Sequence, residues 1–191
     1  MRLPLPYRLL KAAPRCMKSL MREKGPAADL LSYVRREVHH HYWDNDDNCA
    51  VTTIQTAAPL FGIAVEQQVI SSALGLHGAG GYGAQCGLVE GGLMMIGLLG
   101  SRSGESREQT IHLCRSYAAE FEEAFGSLLC RELRPEGFRP DNPPHLCEKL
   151  SVRAVCFTIG FLAGHWEMRQ DPREVTGRPP DSAGTAASAP P

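Results

Sequence analysis

Cysteine occurs at positions 16, 49, 86, 114, 130, 147 and 156 of 191 residues. Thiols in that number can exchange disulfides, react as thiolates or bind soft metals. The odd count rules out complete internal pairing, so at least some are free, reactive or metal-bound. None lies in a CxxC or CxxCH pattern, which argues against a zinc ribbon, a thioredoxin-type pair and covalent haem. Cys86 stands inside GAGGYGAQCGLVEGG, residues 78–92, where seven of fifteen residues are glycine. Backbone so poor in side chains can come close to an anion or to another segment.

Several uses of that run are open. Gly80, Gly81 and Gly83 could present successive amides as an anion nest. A nucleotide is not expected, because GAGGYG fits GxGxxG only loosely, no strand precedes it and no GK[ST] follows. Gly87 and Gly91, four apart, suit close helix packing. Glu90 shares a helix face with Cys86 and is a candidate proton acceptor or oxygen ligand, the plainer alternative being a carboxylate at a solvent rim. His39, His40 and His41 cannot all meet one metal ion, since consecutive helical residues point about 100° apart. Glu37 and His41 share a face without forming HExxH, and a mostly solvated helix end is expected there. His77 opens the glycine run and could face Cys86; His145 precedes Cys147 by two residues. A surface position is the plainer reading of both.

The elements that must position these groups are helical. Ala27, Leu31, Val34, Val38 and Tyr42 recur on one face of a helix beginning after Pro26. Asp46, Asp47 and Asn48 offer capping oxygens before a second helix that starts near Cys49 and is bent or ended by Pro59. A short helix is expected at about residues 65–74, and a long, nearly all-apolar and therefore central one at about 84–99. Ser106 and Gln109 form a capping-box pattern ahead of a stripe of Ile111, Cys114, Ala118, Phe121 and Phe125. FGS loosens that helix before Cys130. After the proline-rich connector RPEGFRPDNPP, Asn142 and Pro143 suit a helix start, and Leu146, Leu150, Ala154, Phe157 and Phe161 form the last apolar face. No strand pattern competes. The expected fold is an all-α bundle of about five to six helices over residues 26–170, with a loosely ordered extension at 1–25 and a disordered Pro/Ala/Gly/Ser tail at 171–191.

Three cysteines fall near expected helix starts: Cys49, Cys86 and Cys147. A helix N-terminus favours the thiolate, so a lowered pKa is expected at each, opposed at Cys49 by Asp46 and Asp47. Cys114, within an apolar stripe, and Cys156 read as small core residues. Cys16 lies in the loosely specified start.

The run NCA at 48–50, CGLVEGG from Cys86, FGSLLCREL ending the long helix and LCEKL from Leu146 together resemble the redox-active family named after its C-GCAxxG-C-C cysteine pattern. The likeness covers roughly residues 31–162 and places the four characteristic cysteines on Cys49, Cys86, Cys130 and Cys147. Gln85 departs from the pattern's glycine and Gly87 from its alanine, while Gly91 or Gly92 serves as the closing glycine. The resemblance implies an all-helical domain with a redox or metal-linked role, and no particular reaction. A similar domain occurs in a multihaem split-Soret cytochrome, whose haem chemistry does not transfer to a chain lacking CxxCH.

Two mechanisms would use four such cysteines. Thiol–disulfide exchange or electron transfer through them needs close pairs and an external redox partner, which the sequence does not identify. Alternatively the four thiolates bind zinc or an iron–sulfur cluster, in a metal-binding or interaction module with structural cysteines. The intervals of 37 (86 − 49), 44 (130 − 86) and 17 (147 − 130) match no common ligand spacing, which favours redox pairing.

Composition narrows the classes further. With 43% hydrophobic and 21% charged residues the chain can bury a core, and a net charge of −1 without a basic stripe makes nucleic acid an unexpected partner. The longest apolar runs, 91–100 and 154–164, are shorter than the ~20 residues of a spanning helix. Pro4, Pro6, Arg8 and Lys11 interrupt any secretory h-region, so a cytoplasmic location is expected. The oligomeric state is not encoded in any motif.

Overall fold

The computed structural model describes residues 26–137 and 145–171. The described residues are all-α, with eight α-helices among them, five of these seven residues or longer. The long ones are α1 (Pro26–Trp43), α2 (Cys49–Ala57), α5 (Gly87–Ser103), α6 (Arg107–Phe125) and α8 (Glu148–Ala163). Three short ones, α3 (Gln67–Ser72), α4 (Gly78–Gly81) and α7 (Cys130–Leu133), lie between them. Among the described residues the only β-type pairing is an isolated antiparallel bridge between Gln85 and Leu129. No described helix is long and apolar enough to cross a membrane.

Local chemistry accounts for several helix ends. The Asn48 side chain accepts from the amides of Ala50 and Val51 at 2.9 and 3.1 Å, satisfying two donors that the first turn of α2 leaves open. Pro59 lacks an amide donor, and the chain tightens there into a 3-10 turn, Ala58–Phe61, closed by Gly62 at φ 63°. Arg102 from the end of α5 donates to the freed carbonyls of Phe61 and Gly62 at 2.7 and 3.0 Å. Ser106 and Gln109 form the reciprocal capping box of α6. The expected start at Asn142 and Pro143 lies outside the described residues; α8 is described from Glu148.

Helix α5 is central, packing on α2, α6 and α8, while α1 covers α2 and α8. Its glycines set the spacing. A Cβ at Gly91 would stand 2.7 Å from the Ala50 carbonyl oxygen and from Thr53 Cβ of α2, and one at Gly92 would overlap the Tyr117 phenol of α6. Tyr117 is fully buried, its hydroxyl 2.8 Å from Thr158 Oγ1 of α8. Around it the rings of Phe121, Phe157 and Phe161 meet edge-on or tilted at 5.2–6.0 Å, contacts worth about 1 kcal/mol each beyond area burial.

Two sequence expectations need correction. Of the expected stripe on α6, Cys114, Ala118, Phe121 and Phe125 are buried or half-buried, but Ile111 is 55% exposed and the fully buried Tyr117 joins the packed face in its place. His41 does not belong to a solvated helix end. It is 6% exposed, with Nδ1 2.9 Å from Asp47 Oδ2, whereas His40 bonds Asp44 and His39 bonds Glu148.

Candidate functional site

Four helices begin with, or immediately after, a cysteine. Cys49 and Cys130 are the first residues of α2 and α7, and Cys86 and Cys147 are the N-caps of α5 and α8. All four line one cavity of about 500 Å3, walled also by Tyr42, Leu88, Leu133 and Leu150.

Three devices bring the first three sulfurs together. Asn48, while capping α2, donates through Nδ2 to the carbonyls of Ala73 and Leu74 at 3.0 and 2.9 Å, tying the start of α2 to the segment before the glycine run. The Gln85–Leu129 bridge is flanked by Cys86 N to Leu128 O at 2.8 Å and Cys130 N to Ala84 O at 2.7 Å. Side chains alternate across such a pairing, so Cys86 and Cys130 fall on the same side of it, opposite Gln85 and Leu129. Lastly, two glycines leave room. A Cβ at Gly87 would overlap the Cys49 sulfur and the Leu76 carbonyl oxygen, and one at Gly78 would stand 2.9 Å from Cys130 Cβ and 3.0 Å from its sulfur. Cys86 is thereby set beside both Cys49 and Cys130, close enough for each to shift its ionisation.

Cys147 lines the same cavity from the start of α8. Its sulfur accepts from Arg134 Nη1 at 3.9 Å, and Arg134 Nε also donates to Gly137 O at 3.0 Å. Arg134 follows Cys130 by one helical turn, its amide bonding the Cys130 carbonyl at 2.8 Å. Tyr42 completes the floor with its hydroxyl 2.6 Å from Ser151 Oγ. At the rim His145 stacks on the Tyr42 ring, centroids 5.1 Å apart, with Nε2 3.8 Å from Asp46 Oδ1.

Cys86, Cys130 and Cys147 are harder to ionise than their helix-start positions suggest. At Cys86 the bond from Cys130 favours the thiolate, but the bond to Cys49, burial and the nearby Cys49 charge outweigh it and push the thiol up to about 12. Cys130 is raised by its bond to Cys86 and by burial. At Cys147 burial raises the thiol against the opposing pull of Arg134. The lowered pKa expected for Cys86 and Cys147 is thus overturned: desolvation of a buried thiolate exceeds the helix-end dipole. Burial, and then Cys49, also hold the Tyr42 phenol well above its usual range.

The remaining candidates distribute as follows. His77 and His145 line the cavity, His77 with Nδ1 3.1 Å from Leu74 O. Glu90 is on the first turn of α5 but is not among the cavity residues, and burial raises its carboxyl. The amides of Gly80, Gly81 and Gly83 donate to the carbonyls of Gly75, His77 and Gly78, which leaves no free donors at those positions for an anion. Cys114 is half-buried in α6 and Cys156 buried in α8, neither on the cavity. Cys16 lies outside the described residues. Sequence reasoning missed Arg134, whose signal was a cation one turn after Cys130. It also missed Tyr42 as a site residue, reading it only as part of an apolar stripe.

Soft sulfur ligands would suit zinc or an iron–sulfur cluster. Among the described residues, however, no group of three or more His, Cys, Asp or Glu side chains is placed to hold a metal ion. The arrangement does not fit a metal centre as it stands.

No curated protein and no solved structure matches the chain. The sequence model of one family does, over residues 47–159, more than half of the chain and all four cavity cysteines. The chain belongs to the putative redox-active protein family named for the C-GCAxxG-C-C pattern.

Proposed function

We propose that the protein works by thiol–disulfide exchange, with Cys49, Cys86, Cys130 and Cys147 as the redox centre. The observation that carries this reading is the meeting of the four family cysteines on one cavity, three of them brought side by side by the glycine gaps and the Gln85–Leu129 bridge. In each half-turn two thiols give up two protons and two electrons to an external disulfide, RSSR, forming one protein disulfide and two RSH. Leu88, Leu133 and Leu150 line the cavity beside the sulfurs, and Arg134 offsets part of the cost of a thiolate at Cys147. Glu90, away from the cavity wall, is left without a direct part in this reading.

The reading is tested by counting thiols and metals on protein purified without oxygen. The expected result is reversible loss of thiols in pairs under a small disulfide, restored by a dithiol. Stoichiometric zinc or iron, with helices that melt when it is chelated, would replace this reading by a metal-binding module with structural cysteines.

A further inference from the structure

We propose that Cys86 is a pivot sulfur that exchanges partners, carrying a disulfide inward from Cys49 to Cys130. This rests on the thiol–disulfide reading above and assigns the order of its steps.

Cys86 stands between Cys49 and Cys130: the Cys49 sulfur crowds Gly87, the residue next to Cys86, and Cys130 lies across the backbone pairing from it. One sulfur makes one disulfide, so the pairs Cys49–Cys86 and Cys86–Cys130 exclude each other. The outer member, Cys49, is half-buried on the cavity, whereas Cys86 and Cys130 are buried. Separate features of the fold maintain the two contacts. Absence of a side chain at Gly87 admits the Cys49 sulfur to the start of α5, and its absence at Gly78 admits Cys130. The backbone pairing around Gln85 and Leu129 holds Cys86 against Cys130 independently of α2. Cys147 stands outside the row, on Arg134.

The chemistry follows from that order. The Cys49 thiolate attacks an external disulfide, RSSR; a Cys49–SR bond forms and RS⁻ leaves, to be protonated to RSH. The Cys86 thiolate then attacks the Cys49 sulfur, forming Cys49–Cys86 and releasing a second RS⁻. Finally the Cys130 thiolate attacks the Cys86 sulfur; Cys86–Cys130 forms, the Cys49–Cys86 bond breaks, and Cys49 leaves as a thiolate that takes up a proton. RSSR is reduced to two RSH, two protein thiols are oxidised, and the last step is redox-neutral. The result is a buried disulfide and a free Cys49 thiol; a second turn begins once an external dithiol has reduced Cys86–Cys130.

Time-resolved disulfide mapping tests this on the full, reduced chain with 2-hydroxyethyl disulfide as oxidant, acid quenching, alkylation and peptide mass spectrometry. In the wild type, the Cys49 mixed disulfide and Cys49–Cys86 are expected first and Cys86–Cys130 later. Cys130→Ser is expected to stop at Cys49–Cys86, Cys86→Ser at the Cys49 mixed disulfide, and Cys49→Ser to form Cys86–Cys130 about tenfold more slowly or worse, having lost the proximal thiolate. Full-rate formation of Cys86–Cys130 in Cys49→Ser, or wild-type pairing that bypasses Cys86, would overturn the relay while leaving thiol–disulfide exchange intact. If no pair among the four cysteines forms, both fall. The wild-type time course decides even if a serine variant loses its helical circular dichroism.

Discussion

Cys86 and Cys156 are almost equally buried, at 4% and 2% exposure, yet they occupy opposite kinds of place. Cys156 sits in the middle of α8, and Cys114 in the middle of α6, where a cysteine is one more small residue of a packed face. Cys86 stands at a helix start, as do Cys49, Cys130 and Cys147, and those four starts meet at one cavity. Burial alone therefore does not separate packing cysteines from site cysteines in this chain. Position along the helix does, because a helix end can present a side chain beyond its own cylinder to residues from other elements.

The sharpest break of the comparison comes from the glycine that shapes the site. Gly87→Ala drives a Cβ into the Cys49 sulfur and the Leu76 carbonyl, on two segments that Asn48 ties together through Ala73 and Leu74, and should cost about 3 kcal/mol in denaturant unfolding, the upper part of the overpacking range. A Cβ added at Gly97, on the same helix, would meet nothing within 4 Å, so Gly97→Ala should be neutral or stabilise by up to about 1 kcal/mol. Equal losses at the two positions would show that α5 resists any added carbon, and the site-specific argument would fail.

Next in size is the division among the cysteines themselves. Cys86→Ser should slow reversible disulfide formation at least about tenfold through loss of the central thiolate, whereas Cys114→Ala should leave its rate unchanged while both variants remain helical. A rate that depends on Cys114 would erase the distinction drawn between mid-helix and helix-start thiols.

Titration supplies a third test. Because the folded Cys86 thiol is raised to about 12, the native state keeps a proton that the unfolded chain releases from about pH 8.5. The stability this gives the reduced protein is then fully present below about pH 8.5 and lost as pH rises toward the folded value. Urea midpoints measured across that window should fall with pH, and fall less in Cys86→Ser. At Cys147 the Arg134 guanidinium opposes the effect of burial, so Arg134→Gln should move the alkylation profile of Cys147 to higher pH and slow its labelling at pH 8 about threefold. An unmoved profile would remove Arg134 from the site.

The smallest effect is expected outside the cavity. At Glu148 the bonds from His39 and Trp43 outweigh burial and lower the carboxyl. Its contribution is present above the ordinary carboxyl pKa of about 4.3 and lost as pH falls through the folded value. Glu148→Gln should flatten the acid limb of the stability curve slightly and leave thiol chemistry unchanged.

Much of this arrangement is written in local sequence. The Asn48 cap, the Ser106 and Gln109 box and the break at Pro59 are short-range chemistry, and each appears where its residues stand. The four family cysteines are legible in the same way, as spaced elements in a fixed order. Tertiary packing hid the rest. On α6 the edges of the packed face depend on which neighbours each residue meets: Tyr117 reaches Thr158, whereas Ile111 faces solvent. His41 is buried by its pairing with Asp47 across a turn, a contact no periodicity records. The direction of the thiol shifts depended on desolvation, which helix-start position alone does not reveal.

The central claim is that the four helix-start cysteines form one redox centre from which Cys114 and Cys156 stand apart. Isotope-coded alkylation before and after a cycle of oxidation by a small disulfide and reduction by a dithiol tests it most directly. The account predicts paired, reversible loss of label confined to Cys49, Cys86, Cys130 and Cys147, with Cys114 and Cys156 unchanged. Reversible loss centred on Cys114 or Cys156, or none at the other four, would contradict it.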